Sequence, residues 1–127
     1  MEGIHAAKLL SYHSCRNNDV SNNKWKTGFL GKLITFDGVI AEDNFIEVMD
    51  CIKTLSTEFK KDNVNRELMY DVISIIYLGR CWTEKNNKVE PNILFSNKQS
   101  EKIAEWIDII EDSIFHLLEG DYNENCN

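Results

Sequence analysis

Proline and glycine are scarce in this chain of 127 residues, which has one proline, Pro91, and six glycines. Both residues interrupt regular structure, so their scarcity favours helices over a fold of short strands and turns. The amino terminus, MEGIHAAKLLSYHSC, lacks a basic segment followed by a long apolar run, and no stretch approaches the length of a membrane span. We therefore expect neither a signal peptide nor a membrane helix, and we predict a cytoplasmic location.

The cysteines lack the spacing of a disulfide framework or a metal site. Cys15, Cys51, Cys81 and Cys126 are far apart, and none of them belongs to a C-x-x-C pair. In a chain without an export signal such cysteines are expected to be reduced thiols. Structural zinc ligands usually come in close pairs, so the sequence predicts no metal site.

The common sequence signatures of catalysis and cofactor binding are also missing. Gly28 and Gly31 fit neither a P-loop nor a dinucleotide-binding pattern, and there is no H-E-x-x-H, calcium-loop or G-x-S-x-G motif. We therefore predict a protein that is not an enzyme and has no cofactor. His13 and Cys15 lie two positions apart, and a Cys–His enzyme that uses them is the less favoured alternative.

Acidic residues outnumber basic ones, and the excess lies after the first third of the chain. The formal charge is −7, with +2 in residues 1–38 and −9 in residues 39–127. An acidic surface repels phosphate backbones, which argues against a nucleic-acid partner. The same surface attracts basic proteins. The alternative is that the charge only keeps the protein in solution.

The clearest helix signal lies between Ser96 and Gly120. Ser96-x-x-Gln99 has the pattern of a capping box, and Gly120 is a suitable terminator. Seven apolar residues between them recur at helical spacing and are expected to be buried: Ile103, Trp106, Ile107, Ile110, Ile114, Leu117 and Leu118. Their full burial would contribute on the order of 10–20 kcal/mol before entropy is subtracted. This helix is therefore predicted to anchor the fold.

An earlier helix is predicted to begin at Asp43 or Asn44, either of which can cap it, and to run to about Lys61. Its apolar residues recur at steps of three and four, which marks a helix that buries one face. The segments before it are less regular. Residues 4–14 are predicted to form a short helix, and residues 24–37 stay ambiguous because glycines interrupt a helical pattern.

Between these two helices, a third is predicted from about residue 65 to residue 78, with Gly79 as its stop. Its apolar residues cover a wide arc that includes Ile73, which is typical of a helix at the centre of a fold. Because β-branched residues are dense here, a strand over 72–78 is the competing prediction.

Together these segments predict an all-α fold: one single-domain helical bundle of about four to five helices over residues 1–127. Within it, residues 1–38 are expected to form an N-terminal helix and loop extension, and residues 83–97 a loop. Trp25 and Trp82 lie at the edges of predicted elements, where a core position and an interface position both remain open.

Acidic residues on the last predicted helix form a single-signed row. They step by four, three and four positions, which places them on one helix face, and they are Glu101, Glu105, Asp108 and Asp112. Such a row costs about 0.2–0.5 kcal/mol per pair, a cost that alternating charges would avoid. We therefore predict that this row contacts a partner protein. Glu47 and Asp50, three positions apart on an earlier helix, are predicted as secondary contacts.

Two stretches carry a resemblance to a known family. They are Glu67–Trp82 (ELMYDVISIIYLGRCW) and Glu101–Glu119 (EKIAEWIDIIEDSIFHLLE). The shared features are an apolar helix that bears Tyr-Asp, a loop that contains Pro91, and a helix with a Lys-Ile-x-x-Trp pattern. Over roughly residues 43–120 the chain resembles small all-α immunity proteins of bacterial contact-dependent growth inhibition and polymorphic toxin systems.

The resemblance implies that the protein binds a cognate toxin domain stoichiometrically and blocks its active site. Some relatives are paired with nuclease toxins, including uridylate-directed ribonucleases of the EndoU type. A nuclease binds polyanions, so its active site is usually basic, and an acidic inhibitor matches that charge. The predicted function is thus that of a cytoplasmic immunity protein that neutralises a nuclease toxin. An acidic adaptor or inhibitor without a toxin partner is the alternative.

Overall fold

Helices make up nearly all of the regular structure in the computed structural model, which describes residues 1–83 and 95–125, with side chains as far as residue 120. The helices are α1 (Gly3–His13), α2 (Lys24–Thr27), α3 (Phe29–Ile34), α4 (Glu42–Thr54), α5 (Ser56–Phe59), α6 (Arg66–Thr83) and α7 (Asn97–Asn125). No strand occurs in the described residues, and they form one domain, so the all-α prediction is confirmed. Of these helices α1, α4, α6 and α7 are substantial.

α6 lies at the centre of the bundle, in contact with α1, α3 and α7. α1 also packs on α4, and α7 also packs on α4 and α5. The enclosed core includes Leu10, Leu30, Val72, Ile107 and Ile110, none of which has any exposed surface. Leu10 and Leu30 come from α1 and α3, so the first 38 residues supply side chains to the common core.

Residues 24–37, which were ambiguous in the sequence, form the two short helices α2 and α3 with Gly28 between them. Gly28 has an extended conformation (φ −71°, ψ −175°), which ends α2 and starts α3. A Cβ on Gly31 would overlap the backbone carbonyl oxygen of Trp25. Glycine is therefore required at position 31, because α3 folds back closely against the backbone of α2.

The start of α4 differs from the prediction that Asp43 or Asn44 caps the helix. α4 begins at Glu42, and no side chain caps it. Asn44 is instead buried, and its Nδ2 donates a hydrogen bond of 2.7 Å to the backbone oxygen of Thr27. The amide thus ties α4 to α2, and this hydrogen bond offsets the cost of burying it.

The end of α4 also differs, because the helix does not run to Lys61. It ends at Thr54, and Leu55 leaves the helical conformation (φ −94°, ψ 12°) before the short helix α5. Leu55 and Phe59 are both buried, with exposed fractions of 4% and 1%. The break therefore redirects the chain while it keeps the last apolar residues of the predicted stripe in the core.

α6 continues through Gly79 to Thr83, so the prediction that Gly79 stops the helix is wrong. A Cβ at this position would lie 2.8 Å from Cδ1 of Ile107. The glycine therefore serves the close packing of α6 against α7 and does not cap α6. The competing strand over 72–78 is wrong as well, because burial against three neighbouring helices outweighs the β propensity of the segment.

α7 starts with the predicted capping box. The backbone N–H of Gln99 donates to Ser96 Oγ at 3.1 Å, and the backbone N–H of Ser96 donates to Gln99 Oε1 at 3.0 Å. Gly120, the predicted terminator, has a positive φ and a non-helical backbone (φ 52°, ψ −139°), so the regular helix that starts at Asn97 ends there, and the chain kinks before a last helical stretch to Asn125. Leu118 was expected to be buried, but 46% of it is exposed, so the helices that pack on α7 cover it only in part.

The central part of the predicted loop over 83–97, with Pro91, lies outside the described residues, and so does Cys126. Phe95 follows this gap and packs on Phe36, with ring centroids 4.3 Å apart. Trp25 and Trp82 are each partly exposed, and Trp82 packs against the core. Within the described ranges, we find no helix with the length and apolar content needed to cross a membrane.

Candidate partner-binding face

The four predicted contact residues of α7 lie together on its outer face. This set, Glu101, Glu105, Asp108 and Asp112, is called the acidic row below. The carboxylate-bearing side chains of Glu105, Asp108 and Asp112 are 58%, 70% and 73% exposed. The opposite face of α7 is buried in the core through residues such as Ile103 and Ile107. The helix therefore holds the acidic row on a rigid support.

Arg80 of α6 is the principal cation that reaches this face. Its Nη2 donates to Asp108 Oδ1 at 2.9 Å and to Glu111 Oε1 at 2.7 Å, and its Nη1 donates to Glu111 Oε2 at 2.9 Å. These hydrogen bonds raise the pKa of Arg80 and lower that of Glu111. Glu111 was not among the predicted contacts, although it lies three positions after Asp108, and it extends the negative surface toward α6.

Among the described residues, a lysine and a histidine make longer contacts with the acidic row. Lys102 Nζ lies 3.7 Å from Glu105 Oε2, and His116 Nε2 lies 3.4 Å from Asp112 Oδ1. All four of these side chains are about half exposed or more, so water screens the pairs. The negative charge of the row is therefore offset only in part.

Glu47 and Asp50, the secondary predicted contacts, are not part of this face. Phe45 of α4 stacks on Trp106 of α7, with ring centroids 5.6 Å apart, so α4 turns this side toward α7. Glu47, two positions later, points the other way and accepts hydrogen bonds from His13 and Lys24 at 2.8 and 2.6 Å. Its carboxylate holds α1 and α2 against α4, while Asp50 is exposed.

His13 is fully buried, and both of its ring nitrogens are in use. The backbone N–H of Phe29 donates to Nδ1 at 2.9 Å. Nδ1 is therefore unprotonated, and Nε2 carries the proton that it donates to Glu47 Oε1 at 2.8 Å. Burial lowers the pKa of His13 to about 4, because a charged imidazolium would lose its hydration. The ring is thus a neutral structural link between three helices.

The Cys15 thiol makes no hydrogen bond with His13. Its Sγ contacts the backbone oxygen of Trp25 at 3.9 Å, and burial raises its pKa to about 11. A cysteine nucleophile needs the opposite shift, because the thiolate is the reactive form. The geometry therefore gives no support to the alternative of a Cys–His enzyme.

A second buried network joins α1 to α6. Asp71 has no exposed surface, and its Oδ1 accepts hydrogen bonds from Arg16 Nε at 2.6 Å and from Ser14 Oγ at 2.9 Å. Arg16 Nη2 donates to Asp71 Oδ2 at 3.1 Å, which completes a bidentate pair. Asp71 is the aspartate of the Tyr-Asp pattern in the family resemblance. Here its hydrogen bonds hold the segment that follows α1 against α6.

The outer side of α6 exposes large apolar side chains that the sequence did not identify as a surface. Tyr70, Ile73 and Tyr77 are 59%, 50% and 64% exposed and are called the tyrosine stripe below. The expectation that Ile73 belongs to a buried arc is wrong, because the helices around α6 cover only one side of it. No signal in the sequence alone distinguishes this side from the buried one.

No family model matches the chain, and no curated protein or solved structure matches it either. The resemblance to immunity proteins thus depends on the residues quoted for it alone. Among the residues that the structure describes, no group of three or more histidine, cysteine, aspartate or glutamate side chains is arranged to hold a metal ion.

Proposed function

We propose that this protein is an immunity protein that binds a bacterial toxin domain one-to-one and covers its basic active site. The observation that carries the proposal is the acidic row, which projects from the outer face of a helix whose other face is buried. The toxin is proposed to be a nuclease, for which the resemblance supplies EndoU-type ribonucleases as an example. The protein acts in the cytoplasm, where such toxins reach their substrates.

The rigidity of α7 favours a role in binding. Ile107 and Ile110 are completely buried, and Trp106 is 4% exposed, so the helix cannot shift without disturbing the core. Because the backbone that carries the carboxylates is already ordered, the row loses little backbone entropy when it meets lysine and arginine side chains. It also accelerates encounter with a basic surface, an effect that weakens as salt increases.

The alternative proposal is an acidic adaptor or inhibitor without a toxin partner. The acidic row fits any basic protein, so this alternative shares the binding face and differs in the partner. Immunity genes usually lie directly downstream of their toxin genes. Binding to the carboxyl-terminal domain encoded by the gene immediately upstream therefore discriminates between the two.

Neutralising the acidic row tests its role in binding. The variant Glu101→Gln, Glu105→Gln, Asp108→Asn, Asp112→Asn removes four negative charges and keeps the shape of the side chains. At about 0.5 kcal/mol per exposed charge, we expect affinity for the upstream-encoded domain to fall by about 30-fold at low salt. The dependence of affinity on salt should also become shallower. Calorimetric titration at several salt concentrations measures both quantities.

A matched control removes four exposed charges elsewhere: Glu2→Gln, Glu42→Gln, Asp43→Asn, Glu67→Gln. It gives the protein the same net charge as the test variant. A difference between the two variants therefore reflects where the charges were removed and not the change in net charge. We expect a much smaller loss of affinity for this control. Equal effects of the two variants would contradict a specific acidic face, and unchanged affinity in both would exclude an electrostatic contribution.

A further inference from the structure

The tyrosine stripe runs along one line of α6. Tyr70, Ile73 and Tyr77 are separated by three and four positions, which stacks them on one side of the helix, and Arg80 follows three positions later. The other side of α6 is buried through residues such as Val72 and Ile75. Single exposed apolar residues are normal on a protein surface, but three large ones in a line form a patch that favours an interface.

Arg80 joins this stripe to the acidic row. Arg80 follows Tyr77 by three positions on α6, and its guanidinium donates hydrogen bonds to Asp108 and Glu111 of α7. Asp108 is a member of the acidic row, so Arg80 links the carboxyl-terminal end of the tyrosine stripe to the row. The two features therefore belong to one continuous surface formed by α6 and α7.

Apolar residues of α7 extend this surface at its other end. Gly79 of α6 lies against Ile107, whereas Gly120 lies near Lys60, shortly before the start of α6, so the two helices run antiparallel. Phe115 and Leu118 follow Glu111 by four and seven positions and are 59% and 46% exposed. They lie on the side of α7 that holds Arg80, and thus beside the amino-terminal part of the stripe.

We propose that the tyrosine stripe is the apolar centre of the surface that docks the basic partner, with the acidic row as its charged rim. This inference rests on the proposed function and adds the part of the interface that supplies most of the affinity. Interfaces combine an apolar, aromatic centre with a polar rim, and tyrosine is enriched among the residues that dominate binding energy. Tyrosine faces also attract arginine and lysine side chains.

The occupant of this surface is a basic protein, as the exposed carboxylates of α7 beside the stripe indicate. The stripe meets the acidic row at Arg80, so any partner that covers the stripe also lies beside the exposed carboxylates of Asp108 and Glu111. A second copy of this chain, with a net charge of −7, would bring a like-charged surface to that place. A partner rich in lysine and arginine gains from the same contact.

The double variant Ile73→Ala, Tyr77→Ala tests the docking surface. Its matched control, Ile4→Ala with Ile46→Ala, truncates exposed apolar side chains on α1 and α4. Urea unfolding first establishes that both variants retain the stability of the wild type. Binding to the upstream-encoded domain is then measured by calorimetry across a range of salt concentrations. We expect the stripe variant to lose about 30-fold or more in affinity at every salt concentration, and the control to bind like the wild type.

The outcomes separate the two proposals. If the wild type binds tightly and the stripe variant binds equally well, the docking surface is excluded and the proposed function stands. If the wild type does not bind the upstream-encoded domain, both proposals are excluded. Sedimentation of the wild type and the stripe variant without partner tests self-association. The inference would be overturned if the wild type were a dimer, the stripe variant were a monomer and both bound the partner with the same affinity. The stripe would then be the contact between two copies of this chain.

Discussion

Replacing Arg16 with alanine is expected to lower the free energy of unfolding by about 3–5 kcal/mol, because the substitution leaves a buried carboxylate without its counter-charge. Asp71 has no exposed surface, and Arg16 supplies two of its three side-chain hydrogen bonds. The loss should also free the chain after α1, since Ser14 alone would then connect it to Asp71. Urea unfolding monitored by circular dichroism measures the change.

Arg80 provides a matched control for Arg16. Both arginine side chains are 32% exposed and each pairs with an aspartate, but Asp71 is fully buried whereas Asp108 is 70% exposed. We expect Arg80→Ala to cost less than about 1 kcal/mol, because water solvates the freed carboxylates. The double variant Arg16→Ala, Asp71→Ala should be more stable than Arg16→Ala alone. Equal costs for Arg16→Ala and Arg80→Ala would contradict the importance of burial at Asp71.

Lowering the pH from 7 to 5 is expected to reduce the free energy of unfolding by about 2 kcal/mol through His13. The pKa of His13 is about 4 in the folded protein and about 6.5 in the unfolded chain. Between these values the unfolded chain binds a proton that the folded protein excludes, so stability is fully present above pH 6.5 and is lost as the pH falls toward 4. Urea unfolding at a series of pH values measures the slope.

A non-titrating residue at position 13 should abolish this part of the pH dependence. We expect His13→Asn to be less stable than the wild type at pH 7 but to show a flatter profile between pH 7 and pH 5. His5 is exposed on the same helix and serves as the control. His5→Asn should keep the wild-type slope. If His5→Asn flattened the slope and His13→Asn did not, the role given to His13 would be contradicted.

The outer face of α7 could be predicted from the sequence because its determinants are local. Steps of three and four positions place Glu101, Glu105, Asp108 and Asp112 on one side of any helix, and the capping box at Ser96 marks where that helix starts. Both features depend only on neighbours within a turn or two. The contribution of Arg80 to the same face depends on residues 28 and 31 positions away, for which the sequence offers no signal.

The roles that the sequence did not reveal share this non-local origin. Glycine often ends helices, but the role of Gly79 is to let Ile107 of α7 pack closely against α6. His13 lies near Cys15 in the sequence, yet its hydrogen-bond partner Glu47 is 34 positions away. The apolar arc of α6 is wider than the part that the neighbouring helices cover, so Ile73 stays exposed. In each case the arrangement of neighbouring helices decides the role of the residue.

The most direct test of the proposed function is calorimetric titration of the wild-type protein with the domain encoded immediately upstream, at low and at high salt. We predict tight one-to-one binding that weakens as salt increases, because the acidic row meets a basic active site. Tight binding that is insensitive to salt would keep the immunity role but contradict charge-based occlusion. No binding to a folded and active domain would contradict the immunity role itself.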